Sequence, residues 1–311
     1  MEVIEHLNVD YFSGVTEDAT RKVDIYVPAP ATEDPVDSSL PELLIYIHGG
    51  CWRSGDKIDF VKLGRAIAGK AYTNNTNGKK KHLAVAIINY RLSKPNYETN
   101  ENKHPIQLID TIKSIEFLIS NSKKFGYDGQ NIHLVGHSAG GHLSGLICLD
   151  PPKSWATDKL PGMEVHTANC IKSIINVAGI FDHGDLVDRY PEYLEFTDQT
   201  FGSNAELWNA FSPQYAPFSN VYNDLLSKTL TPEFQYDRGG EPLLHVRNLV
   251  FHSLGDELMP VAHSTRYADH IKRLGIDTSV KVDQDYGTHF SALETQEFYE
   301  LVSSFILNIQ I

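Results

Sequence analysis

Residues Asn131–Ile147 read NIHLVGHSAGGHLSGLI. The apolar run Ile132–Val135 has the look of a buried strand, and the alanine- and leucine-bearing stretch after it has the look of a helix. Between them stands Gly136-His137-Ser138-Ala139-Gly140, a G-x-S-x-G match. Alone, that pattern arises often by chance; directly after a strand and directly before a helix, it marks a strained turn with a serine at its tip. Side chains two positions either side of such a serine would collide, and glycine at both flanks removes the collision. The helix that starts behind it offers unpaired N–H groups to a developing negative charge. The loop is not G-x-G-x-x-G and has no P-loop lysine, so phosphate binding is the weaker reading. Ser138 is the candidate nucleophile.

Outward from this turn, apolar strands and helical patterns alternate. RKVDIYVP (21–28), LLIYIHGG (43–50), LAVAIINY (83–90), IKSIINVAG (171–179), RNLVFHSLGD (247–256) and SVKVDQD (279–285) read as strands. FVKLGRAIAGKA (60–71), IQLIDTIKSIEFLISNSKKFG (106–126), STRYADHIKRLG (264–275) and ETQEFYELVSSFILNI (294–309) read as helices. Near-continuous apolar strands interleaved with helices predict an α/β fold, a mostly parallel central sheet covered by helices on both faces. No repeat or long linker divides the chain, so residues 1–311 are expected to form one domain. The stretch 183–244 breaks the alternation with aromatic and polar residues and several prolines. It reads as a helical and loop insertion capping one end of the sheet, its aromatics either packing it down or lining a pocket.

A serine hydroxyl needs a base, and the base needs an orienting carboxylate. In a sheet of this kind they follow in the order serine, acid, histidine, each in a loop after a strand. Asp256 ends one strand reading, and His289 follows another, just ahead of the last helix. Glu257 competes with Asp256 as the acid. His252 lies inside its strand and reads as packed, and His263 precedes a helix too close to Asp256. An oxyanion also needs fixed donors. YIHGGCWRSGDK (46–57) supplies Gly49 and Gly50, whose N–H groups can turn inward, and the N–H of Ala139 is the third. His48 is expected to anchor this loop. Trp52 either wedges it or walls the substrate pocket.

The 311 residues are 41% hydrophobic and 22% charged, with a net charge of −13. That acidity disfavours nucleic acid and anionic membrane as partners. No apolar run is long enough to span a bilayer, and the first residues lack the basic and apolar regions of a secretory signal. Cys51, Cys148 and Cys170 are odd in number and irregular in spacing, so no disulfide framework is expected, and a reducing, cytoplasmic compartment is. The polar insert Asn74–Lys81 reads as a solvated loop. No HExxH or similar cluster suggests a metal, and no cofactor is expected.

HGGCW and GHSAGGHLS, with the acid and histidine so placed, resemble the α/β-hydrolase superfamily. More closely they resemble its kynurenine formamidase (arylformamidase) branch, beside the hormone-sensitive-lipase-like esterases. HGG with tryptophan one residue further on is that branch's oxyanion motif. GIFDHGDLVDRYPEY (179–193) resembles the stretch leading into the cap of fungal formamidases, with Phe181 where they have tyrosine. The resemblance runs from about Leu43 to Phe305. It implies a serine hydrolase of small aryl formamides such as N-formyl-kynurenine. A carboxylesterase for short acyl or aryl esters is the alternative, and a non-catalytic binding module on the same fold is the third reading.

Overall fold

The computed structural model describes residues 1–12, 19–29, 39–73, 79–95, 99–149, 163, 165–216 and 245–309. Its centre is an eight-stranded sheet. The strands are β1 (Val3–Asp10), β2 (Lys22–Pro28), β3 (Glu42–Ile47), β6 (Leu83–Ile88), β7 (Asp128–His137), β8 (Ile171–Val177), β9 (Arg247–Phe251) and β10 (Thr278–Lys281). Two short strands, β4 (Tyr72–Thr73) and β5 (Lys80–Lys81), pair separately as an antiparallel ribbon. The sheet order is β1-β2-β6-β3-β7-β8-β9-β10. The pairs β1/β2 and β2/β6 are antiparallel and all others are parallel.

The central strands are buried on both faces, which is why ELLIYI, LAVAII and IKSIINV carry apolar residues at nearly every position instead of alternating. Two cores result. On one face α1 (Val61–Ala68) and the last helix α10 (Gln296–Leu307) pack Leu63, Ile67, Phe298 and Val302 against Leu44, Tyr46, Val85 and Ile87. On the other face α2 (Ile106–Ser120), α4 (Ala139–Cys148) and α9 (Val261–Arg273) cover Ile45, Ile47, Leu134 and Ile174. The short α3 (Ser122–Phe125) ends at Gly126, whose φ of +85° is a left-handed C-cap. The α5 segment (Val165–Cys170) leads directly into β8.

The N-terminal β1 is a strand that the apolar pattern did not reveal. None of its residues is fully buried, and it forms an edge, so its sequence need not alternate. No disulfide joins Cys51, Cys148 or Cys170. No helix among the described residues is long and apolar enough to cross a membrane.

Between β8 and β9 the chain forms α6 (His183–Arg189), α7 (Leu194–Phe201) and α8 (Ala205–Ala210), with no strand among the described residues there. Phe196, Phe201, Trp208 and Phe211 are buried in the same core as α4, so these aromatics pack the segment down. Phe218, Tyr222, Phe234 and Tyr236 of the same expected insertion lie outside the described residues, as do residues 74–78 of the polar insert.

Candidate active site

Ser138 sits where β7 ends and α4 begins, with φ 54° and ψ −117°. Its backbone is held from both sides: its N–H donates to Val177 O at 2.9 Å, and its carbonyl accepts from His142 N at 3.0 Å. A Cβ on Gly136 would strike the Gly140 carbonyl, and one on Gly140 would strike the Ile47 carbonyl, so both flanking positions need glycine. β7, β8 and β9 are parallel neighbours, so the chain after each reaches the same rim of the sheet.

On that rim Asp256 and His289 meet. His289 Nδ1 lies 2.7 Å from Asp256 Oδ2 and donates to it, which leaves Nε2 as the unprotonated nitrogen. The other carboxylate oxygen of Asp256 accepts from Leu258 N at 2.9 Å and Met259 N at 2.8 Å. Burial alone would push the Asp256 carboxyl up, but the His289 ring and these two N–H groups bring it below its ordinary value. Glu257 takes a different task. Its carboxylate accepts the backbone N–H of His289 at 3.0 Å, not the ring. From the other side His137 Nε2 donates to the His289 carbonyl at 3.0 Å. Ser253 Oγ donates to Gly287 O at 2.6 Å and accepts from Tyr286 N at 2.8 Å, tying the β9 loop to the histidine loop.

No hydrogen bond joins the Ser138 hydroxyl to His289 among the described residues. The His289 ring centroid is 4.5 Å from that of His137, the residue before Ser138, so the histidine loop packs against the end of β7. Such a link is often open before substrate arrives and tightens in the reacting complex.

The loop after β3 lies against the serine. A Cβ on Gly49 would come within 2.9 Å of Ser138 Cβ, so only glycine allows this approach. Gly50 has φ +106°, and the next two residues, Cys51 and Trp52, have φ 52° and 57°. Gly50 O accepts from Arg53 N at 3.1 Å, closing a turn with positive φ at both central positions. The N–H groups of Gly49, Gly50 and Ala139 donate to no other protein group among the described residues. His48 Nδ1 donates to Gly49 O at 2.7 Å, and its ring stacks on Tyr90 at 4.4 Å, so His48 anchors the loop.

Trp52 is fully buried. Its Nε1 donates to His142 Nδ1 at 3.2 Å, and His142 Nε2 donates to Phe211 O at 2.8 Å. The ring also packs on His183 and Phe201. These contacts join the glycine loop to the helix behind Ser138 and to the α8 region.

His252 and His263 have other partners. His252 bonds Ser264 Oγ and Met259 O, and its Nε2 stands 3.5 Å from Asp256 Oδ2. His263 pairs with Asp185 at 3.0 Å. Sequence reasoning did not single out His137, His142 or Ser253. His137 and His142 stand inside the GHSAGGH motif, but their partners lie 152 and 69 residues away along the chain.

This cluster makes the fold acid-sensitive. Burial pushes His142 down to about 3 and holds His48, His104, His137 and His183 below the ordinary histidine value of 6.5. The unfolded chain therefore binds more protons than the fold below pH 6.5, so stability rises with pH through that window and falls on acidification. Each histidine kept neutral costs up to about 1.4 kcal/mol per pH unit below 6.5. Urea unfolding is expected to show a loss of at least ~2 kcal/mol between pH 7 and pH 5. A stability that stays flat over that range would contradict the neutral-histidine account.

The family model BD-FAE matches residues 23–270. The chain belongs to the BD-FAE family. It is similar to a kynurenine formamidase of Meyerozyma guilliermondii, with 33% identity over 169 residues, which are 54% of this chain and 54% of that protein. The matched segment thus spans about half the length of that relative. A kynurenine formamidase of Aspergillus versicolor is 28% identical over 273 residues, covering 84% of this chain and 85% of the other. Among solved structures, an esterase B from Lactobacillus rhamnosis superimposes with a TM-score of 0.69 at 17% identity, over 98% of this chain and 86% of that one. That last likeness shows the fold. This BD-FAE member is an α/β-hydrolase in architecture.

Proposed function

We propose that the protein is a serine hydrolase that cleaves aryl formamides of the N-formyl-kynurenine type to the aryl amine and formate. The observation that carries this reading is the 2.7 Å contact between Asp256 and His289 on the rim where Ser138 stands in its strained turn. The likeness to two kynurenine formamidases supports the choice of substrate class.

In this mechanism Ser138 Oγ attacks the formyl carbon and His289 Nε2 takes the hydroxyl proton. The carbonyl oxygen becomes an oxyanion and accepts hydrogen bonds from the unspent N–H groups of Gly49, Gly50 and Ala139. Asp256 stabilises the imidazolium. His289 returns the proton to the departing aryl nitrogen as the tetrahedral species collapses, leaving a formyl ester on Ser138. Water then attacks, with His289 again as base, and formate leaves with Ser138 restored. A formyl group carries only hydrogen on its acyl side, so the site needs almost no acyl pocket.

The test is hydrolysis of N-formyl-L-kynurenine beside p-nitrophenyl acetate. A kcat/KM on the formamide at least about tenfold above that on the ester is expected, because acetyl needs acyl-side room that formyl does not, and the p-nitrophenyl leaving group lacks the ketone and amino-acid arm of the aryl amine. Turnover of the ester alone would reassign the protein to the carboxylesterases for short acyl or aryl esters. Turnover of neither would favour a binding module.

A further inference from the structure

A cavity of about 380 Å³ opens against Gly49 and Gly50 and is also lined by Phe290, the neighbour of His289. Apart from Gly49 and Gly50 at its end, the mechanism above uses none of its lining. We infer that this cavity receives the leaving-group half of the substrate, and that the Lys62–Glu294 pair in its wall binds a zwitterionic α-amino-acid group carried on that half. The inference rests on the arylformamide reading and gives it a recognition site.

A carbonyl oxygen seated on the Gly49 and Gly50 N–H groups lies at one end of this cavity. A formyl carbon has a hydrogen on one side, so everything else in the substrate must run away from it in a single direction. A volume of this size falls in the range of small-molecule sites.

Phe60, Leu63, Phe290 and Leu293 supply apolar walls for an aryl ring. Phe290 is 53% exposed, a large apolar side chain left in the open beside the candidate base. Tyr299 also lines the cavity; it is only 5% exposed, yet its hydroxyl has no hydrogen-bond partner among the described residues. A buried hydroxyl without a partner is costly, and the ketone oxygen of a kynurenine-like ligand would satisfy it.

Lys62 Nζ and Glu294 Oε2 are 2.8 Å apart, and their side chains are 68% and 65% exposed. They come from α1 and from the turn before α10, 232 residues apart in sequence. Exposed pairs of this kind contribute little to stability, so they open at small cost. Asp59 adds a second carboxylate to the same lining. One ammonium and two carboxylates complement a ligand that offers one carboxylate and one ammonium: Lys62 takes the first, and Glu294 with Asp59 the second.

The experiment compares N-formyl-L-kynurenine with 2′-formamidoacetophenone, the same aryl formamide and ketone without the amino-acid group. Both are assayed with wild type, Lys62→Met and Glu294→Gln, whose exposed positions leave folding undisturbed. Loss of a charge-assisted contact is expected to raise KM for N-formyl-L-kynurenine about 10- to 30-fold in either variant. Its kcat, and both constants for the acetophenone, should stay within about twofold, since neither side chain touches the reacting atoms. Wild-type turnover of both formamides with no selective KM change in the variants would overturn the amino-acid site and leave the formamidase reading standing. Wild-type turnover of p-nitrophenyl acetate but of neither formamide would overturn both.

Discussion

Ser138→Ala is expected to lower kcat/KM by four to six orders of magnitude, about the scale seen when a triad nucleophile is removed. The change deletes one oxygen that makes no hydrogen bond to protein among the described residues, so it strands no buried partner. The flanking glycines and the β7 and α4 contacts remain. Circular dichroism and unfolding free energy should therefore match wild type, which separates lost chemistry from lost fold. Ser138→Gly should be equally inactive yet more stable. The backbone at this position, φ 54° and ψ −117°, is one that a residue bearing Cβ enters at a cost of roughly 1–3 kcal/mol. Glycine enters it freely, so a gain of about 1 kcal/mol is expected after its greater unfolded-state entropy is deducted. Full activity in Ser138→Ala would remove Ser138 as the nucleophile. A destabilised Ser138→Gly would show that the turn stores no strain.

That trade of stability for a hydroxyl at the tip of a turn explains why the turn was legible in the sequence. Strain must be accommodated locally, and the accommodation is written as glycine at fixed offsets, between a short strand-like run and a helical pattern. The parallel strands were legible for a related reason: burial on both faces demands apolar residues at successive positions, as in LAVAII. What the sequence hid depends on contacts between distant residues. Trp52 could have faced substrate or core, and only the packing of Phe196, Phe201 and His183 from the segment after β8 encloses it. Lys62 and Glu294 look like ordinary surface charges until the sheet brings α1 beside the start of α10. The edge strand β1 carries His6 and Asn8 without regular alternation because half of it faces water. Asp256 and Glu257 are chemically near-equivalent neighbours, and their roles diverge only because their side chains leave the backbone in different directions.

Those different directions give the second large effect. Asp256→Asn is expected to lower kcat/KM about 10³- to 10⁴-fold, while Glu257→Gln should cost less than about tenfold. The asymmetry follows from the hydrogen bonds. Oδ1 of Asp256 is fixed by two donors, Leu258 N and Met259 N, so an asparagine must leave its carbonyl oxygen there. Its amide NH₂ then points at His289 Nδ1, where the carboxylate oxygen had been an acceptor at 2.7 Å. Nδ1 must become the acceptor, and the ring proton moves to Nε2. A histidine protonated at Nε2 cannot accept the Ser138 proton, and no negative charge remains to stabilise the imidazolium. Geometry is kept and the tautomer is wrong. At Glu257 the contact is a carboxylate oxygen accepting the His289 backbone N–H at 3.0 Å, and a glutamine oxygen can accept the same proton. The loop stays in place and the ring keeps its partner. Measuring kcat/KM for both variants on one substrate decides between the carboxylates. If Glu257→Gln were the inactive one and Asp256→Asn the active one, the orienting acid would be Glu257, and the 2.7 Å contact would have to be broken during turnover.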